Sequence, residues 1–288
     1  MPYPQRMNPT SKRPVLPPLP AVLVAILSVQ GGAALAKGLF PVLGPGGTVG
    51  LRIGISALML LAAFRPRLHL LTAAQWRVVI PYGVVLGVMN LVFYHSLARI
   101  PLGLAVTVEF IGPLSVAVFG SRKLIDVLWV VLAGAGIALI TPWTGGSGVD
   151  PIGVALAFAA GVCWALYIVL GKRISHLLSG GAAVSIGMLI AAIAVVPFIA
   201  VGGEFGRLTA GLFAAGVGVA LLSSAVPYTL EMIALKALPA RTFGILMSLE
   251  PAVAALVGLA FLHEVLSPMQ WLAVALVIAA SAGSTLTS

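Results

Sequence analysis

Apolar runs long enough to cross a bilayer follow one another along almost the entire chain, and this constrains the fold more than any single motif. They cover 21–40, 47–64, 77–97, 101–119, 124–142, 151–171, 182–201, 210–230, 239–262 and 268–286, with short connections between them. A segment immersed in hydrocarbon has no water for its N–H and C=O groups, so it must pair them internally, and runs of about 20 residues do so as helices. The chain is 60% hydrophobic and 8% charged, against about 25% charged in a soluble domain. A soluble fold of this length has too few charges to cover its surface. The expectation is an all-α membrane protein with ten transmembrane helices.

Lysine and arginine set the orientation. With the N-terminus inside, the cytoplasmic connections and tail hold Arg6, Lys12, Arg13, Arg65, Arg67, Arg77, Arg122, Lys123, Lys172, Arg173, Lys236 and Arg241, whereas the outer ones hold Arg99 and Arg207. That asymmetry places both termini in the cytoplasm. The net charge of +9 is spread between apolar runs without interleaved aromatics, so topology explains it and nucleic acid is not an expected partner. Residues 1–20 combine basic residues with prolines and lack a cleavage site after a short apolar core; a disordered cytoplasmic tail is expected, not a signal peptide. The lone Cys163 sits in an apolar run and reads as packing.

The two halves echo each other. Lys37 and Lys172 close similar stretches 135 residues apart, Pro101 and Pro113 match Pro239 and Pro251 at 138, and Trp129 matches Trp271 at 142. The drift suits a duplication with small loop insertions. Five spans per half is an odd number, so 21–142 and 151–286 form a five-plus-five inverted repeat, an architecture that holds substrate near the bilayer midplane.

Acids in the apolar runs mark the functional region. Pro227 to Pro251 carries Glu231 and Glu250, and Glu109 lies four residues before Pro113. An ionisable group at the centre of a membrane helix costs about 2.5–3.5 kcal/mol even on a lenient scale. Each needs a partner or a water-filled cavity. Pro227 cannot bond the carbonyl of Ser223, Pro251 that of Met247, or Pro113 that of Glu109 itself, so free acceptors accompany the acids. Together they predict the wall of a polar pocket.

The stretches 28–52, 100–123, 161–168, 227–256 and 279–287 closely resemble the threonine and homoserine exporters of the EamA branch of the drug/metabolite transporter superfamily. The likeness spans essentially the whole chain beyond its first twenty residues. The resemblance implies a ten-helix inverted-repeat exporter of small hydrophilic amino acids in the bacterial inner membrane, working with the proton gradient and without a cofactor.

An amino-acid cargo is a zwitterion, so its site must meet a carboxylate, an ammonium and, for these substrates, a hydroxyl. Arg52 shares a helical face with Thr48 and Ser56; its fork either clamps a cargo carboxylate or pairs permanently with a glutamate. Glu109, Glu231 and Glu250 are candidates for the ammonium and for proton coupling, since burial strips a carboxylate of hydration and favours taking up a proton. Gln30, Asn90 and Tyr94 are uncharged candidates for the hydroxyl, or interhelical glue, and the Asn90–Tyr94 face also carries Gly83 and Gly87, which permit close approach. Trp164, Tyr167 and Tyr228 are further lining candidates. Lys37, near the outer end of its helix, is expected to snorkel, and His95, His263 and Glu264 to act as interfacial caps.

Other classes fit less well. Prenyl transfer needs paired aspartates, but Asp126 and Asp150 stand at segment ends. The histidines also lie at ends, which disfavours intramembrane hydrolysis, and there is no GxxxxGK[ST] loop for ATP. No metal site is expected. The sequence leaves the oligomeric state open; Gly153, Ala157 and Gly161 form a small-residue stripe expected to pack within one chain.

Overall fold

The computed structural model describes residues 17–119, 125–140, 149–178, 180–202, 206, 208–227, 230, 231, 234, 238 and 240–287. Among them there are helices and turns and no strand. The helices are α1 Pro18–Phe64, α2 Ala73–Leu97, α3 Leu102–Glu109, α4 Ile111–Phe119, α5 Ile125–Ile140, α6 Pro151–Ser175, α7 Gly180–Gly202, α8 Ala210–Ala220, α9 Ala240–Met247, α10 Glu250–Leu262 and α11 Pro268–Thr287. A π turn, Leu221–Ala225, continues α8. Most of the expected tail, residues 1–16, lies outside the described residues, and the first helix begins at Pro18.

Among the described residues, five helical stretches are long and apolar enough to cross a membrane: Pro18–Phe64, Ala73–Leu97, Pro151–Ile174, Thr242–Leu262 and Pro268–Thr287. The surface carries Leu58, Phe261 and Val265, which are 70%, 72% and 80% exposed. Large apolar side chains directed outward, over a core that buries glutamates, suit lipid as the solvent.

The two helices expected over 21–64 meet at a kink inside α1, at the non-helical Gly44, φ 62° and ψ 169°. That backbone region is essentially restricted to glycine. Thr48 Oγ1 donates to Gly44 O at 2.7 Å, steadying the bend. The chain folds back there. Ser28 Oγ bonds Leu222 O at 2.7 Å, while Arg52 reaches Ser223 O at 3.5 Å; a straight helix would hold residues 28 and 52 about 36 Å apart.

Two other expected helices are interrupted at corresponding places. Phe110 separates α3 from α4, and Ser248-Leu249 separates α9 from α10, each just before one of the matched prolines Pro113 and Pro251. Ser248 Oγ occupies Gly244 O at 3.0 Å and meets Ser281 Oγ at 2.8 Å, so the break is internally bonded. Further on, α2 packs against α6 and α7, α1 against α7 and α8, α3 against α10, and α5 against α11.

Glycines set how closely these pairs approach. A Cβ on Gly87 would lie 2.9 Å from Ala191 O, and one on Gly83 would lie 2.7 Å from Gly187 O, so the Asn90 face of α2 meets α7 backbone to backbone, as its glycines predict. The Gly153–Gly161 stripe packs within the chain: Gly153 faces Ile100, and Gly161 faces the backbone of Glu109. At the membrane-edge turn before α2, Thr72 and Gln75 form a reciprocal capping box, and Gln75 Nε2 ties that turn to Leu177 O at 3.0 Å.

Candidate functional site

Around one cavity of about 230 Å³ the fold collects Gln30, Arg52, Asn90, Tyr94 and Glu109, together with Trp164, Glu231 and Glu250. These are the residues picked out by residue type and spacing, with one exception: the side chain of Tyr228 lies outside the described residues. Gln30 is 2% exposed, Glu109 8% and Glu250 7%. Glu109 is the last residue of α3, and Glu250 sits in the first turn of α10, where unpaired N–H groups and the helix dipole favour a carboxylate.

Among the described residues Arg52 is the cation that lines this cavity, and its surroundings bear on the two readings of it. Among the described residues there are two ion pairs, Lys37–Glu264 and Arg99–Asp150; neither involves Arg52 or the three cavity glutamates. Arg52 is instead held by neutral groups. Its Nη1 donates to Asn90 Oδ1 at 2.8 Å and to Tyr94 OH at 3.2 Å, and its guanidinium carbon lies 5.5 Å from the centre of the Tyr94 ring. Asn90 is fixed in turn by Nδ2 donating to Leu86 O at 2.8 Å. Arg52 Nη2 points to Ser223 O, the carbonyl left free by Pro227. Asn90 and Tyr94 therefore hold the arginine, and those polar atoms are not wholly free for a cargo hydroxyl.

The aromatic wall comes from Trp164, edge-on to Phe110 at 5.6 Å, and from Tyr167, which stacks on Tyr82 at 4.9 Å and shares a hydroxyl–hydroxyl bond of 3.1 Å. Tyr167, Pro227 and Ser223 also line the cavity. Ser223 escapes residue-type reasoning because serine is common in membrane helices; its only signal is its place four residues before Pro227.

Lys37 is ion-paired. Its Nζ lies 2.6 Å from Glu264 Oε1 and 2.9 Å from Ile100 O. The reason is that Glu264 is already anchored there, its Oε2 accepting from the N–H of Leu102 at 2.7 Å. Glu264 thus caps the start of α3 and offers the lysine a fixed partner. His263 ends α10 in a left-handed turn, φ 56°. At the other pair, the Arg99 guanidinium and then the N–H of Ile152 hold the Asp150 carboxyl below its ordinary range.

A helical, multi-pass membrane protein that gathers a cation and three carboxylates around one small cavity, two of the carboxylates buried, is built as a transporter. The comparisons with known proteins give the family. Residues 151–286 match the EamA-like transporter family. The chain is 49% identical over 284 residues, 96% of its length and 94% of the relative's, to "Threonine/homoserine exporter RhtA" of Escherichia coli (strain K12). It is 48% identical, with the same coverage, to the protein of that name in Salmonella typhimurium (strain LT2), and 26% identical over 88% of its length to "Uncharacterized transporter YwfM" of Bacillus subtilis. A solved crystal structure shares the fold at TM-score 0.60 and 18% identity, covering 93% of this chain and 98% of that one. The chain belongs to the EamA-like transporter family. It is a transporter and not an enzyme.

Proposed function

We propose that this protein exports small hydrophilic amino acids such as threonine and homoserine across the bacterial inner membrane, exchanging them for protons by alternating access. The observation that carries the reading is the cavity itself: a guanidinium held by neutral partners lines one small space together with carboxylates outside any ion pair among the described residues. That arrangement complements a zwitterion. The volume of about 230 Å³ falls below the roughly 300 Å³ at which sites for drug-sized ligands begin, which favours a small cargo over a drug. The naming of the 49% identical relative supports the same class of substrate.

Ten spans in an inverted five-plus-five arrangement, with 21–142 and 151–286 as the halves and both termini cytoplasmic, supply the frame for alternating access. Helix contacts support it, because they come in pairs that the halves exchange: α2 on α6 corresponds to α8 on α1, and α3–α4 on α6 to α9–α10 on α1. The matched breaks at Phe110 and Ser248 lie beside the cavity acids, as interrupted helices do in transporters of this type. Glu109, Glu231 and Glu250 are the candidates for proton coupling, since each must give up hydration to stay charged.

The test is export from cells. Cells expressing the protein, loaded with threonine from a dipeptide, should release it faster and grow at homoserine concentrations that arrest control cells. Unchanged release of both amino acids, with the protein present in the membrane, would refute the substrate reading.

A further inference from the structure

We propose that Ser223, together with the open edge of Arg52, is the seat for the carboxylate of the cargo. The proposal rests on the amino-acid reading above and names the atoms that recognise its acid end.

Three observations converge on this spot. Arg52 Nε is buried without a hydrogen-bond partner, and so is Ser223 Oγ; both residues line the cavity. A third orphan, Ser284 Oγ, belongs to a residue outside the cavity lining. Buried polar atoms are nearly always paired, so two orphans on residues that line one cavity mark a place where a ligand can complete the bonding. Nε shares one edge of the planar guanidinium with Nη2, and that edge is the fork that binds a carboxylate through two parallel N–H donors. The opposite side, Nη1, is already committed to Asn90 and Tyr94.

Ser223 also departs from several hydroxyls of these helices. Thr107, Ser248 and Thr285 each spend their hydroxyl on the carbonyl four residues earlier, at 2.6, 3.0 and 2.9 Å. Ser223, 7% exposed, does not. The π turn Leu221–Ala225 changes the side-chain direction there, and such turns recur at functional sites. Its neighbours are fastened, with Leu222 O held by Ser28 and Ser224 Oγ bonded by Ser56 Oγ at 2.9 Å. The turn is rigid on both sides of a free hydroxyl. Gly32 makes the room, since a Cβ there would collide with Ser223 Oγ.

A cargo carboxylate placed here accepts from Arg52 Nε–H and Nη2–H and from Ser223 O–H, which directs the ammonium toward the glutamates. The experiment compares threonine with threonine amide, whose acid end is neutral, as competitors for labelled threonine uptake into proteoliposomes holding the full-length protein. For S223A the half-saturating concentration of threonine should rise about tenfold, the usual scale for a hydrogen bond to a charged group, while threonine amide, weaker in the wild type, should change little. S223C keeps the side-chain volume with a weak donor and should follow S223A. Wild-type threonine affinity in both variants would overturn the proposal, and so would an equal loss for threonine and its amide, the signature of a structural role. A wild-type protein that moves no amino acid would instead refute the reading on which the proposal rests.

Discussion

Lys37 and Glu264, 227 positions apart, meet at 2.6 Å, and through Ile100 O and Leu102 N they fasten α1, the start of α3 and the turn after α10 at one point. Their side chains are 20% and 14% exposed, so water screens the pair only partly. Removing one charge leaves the other partly buried and unpaired. K37M and E264Q should each lower the stability of the purified protein by about 1.5–3 kcal/mol, the worth of hydrogen bonds to charged groups. Thermal unfolding in detergent checks this, and the K37M/E264Q double variant should lose less than the sum of the two.

Asn90 orients Arg52 without neutralising it. N90D keeps the shape of the side chain and puts a carboxylate 2.8 Å from Nη1, creating the permanent ion pair that the cavity lacks. We expect N90D to lose most threonine transport at normal expression, and N90A to raise the half-saturating concentration roughly tenfold or less by loosening the guanidinium. If N90D transports like wild type, Arg52 does not bind the cargo.

R52K retains the charge and loses the fork and the planar contact with Tyr94. Threonine transport should fall far more than the amount of folded protein in the membrane, read by fluorescence-detected size exclusion. Equal loss of both would assign Arg52 a structural role.

Close helix approach at the glycines makes small additions costly. A Cβ on Gly103 would lie 2.6 Å from Ala255 Cα, backbone that cannot swing aside. G103A should destabilise the protein by about 1–3 kcal/mol, the cost of overpacking. At Gly134, where nothing lies within 4 Å of a new Cβ, the same change should be silent in thermal unfolding.

The Arg99–Asp150 pair provides a control for pH. Its carboxyl is held below its ordinary value by Arg99, so its stabilising contribution is complete above the unfolded value of about 3.9 and is lost only as pH falls through the lower folded value. Between pH 5 and 8, as an order-of-magnitude window around neutrality, it does not titrate. D150N should therefore leave the pH profile of transport unchanged in that window, whereas glutamine at a coupling glutamate should flatten it.

Much of this was legible in the residues. Apolar length marked the helices, and the cost of acids in hydrocarbon singled out Glu109, Glu231 and Glu250. The spacing of Gly83, Gly87, Asn90 and Tyr94 foretold the face that α2 turns to α7. What stayed hidden depended on partners far along the chain. Nothing local to Lys37 announces Glu264, and Asn90 and Tyr94 look like free polar groups until Arg52 is seen between them. The π turn is invisible for another reason: LLSSA is compatible with an ordinary α-helix, and only Pro227 and the contacts of Ser28 and Ser56 wind it wider. The break between the spans 21–40 and 47–64 was legible from Pro41, Gly44 and Pro45, and what stayed hidden is that one residue at positive φ makes it.

The most direct measurement is threonine-driven proton movement in proteoliposomes, with labelled threonine and a trapped pH indicator followed together. The account predicts that threonine moving one way carries protons the other way, that an imposed pH gradient drives threonine against its own gradient, and that E109Q, E231Q or E250Q uncouples or stops both. Threonine moving in the wild type with no proton movement and no response to the gradient would contradict the exchange of cargo for protons at this cavity.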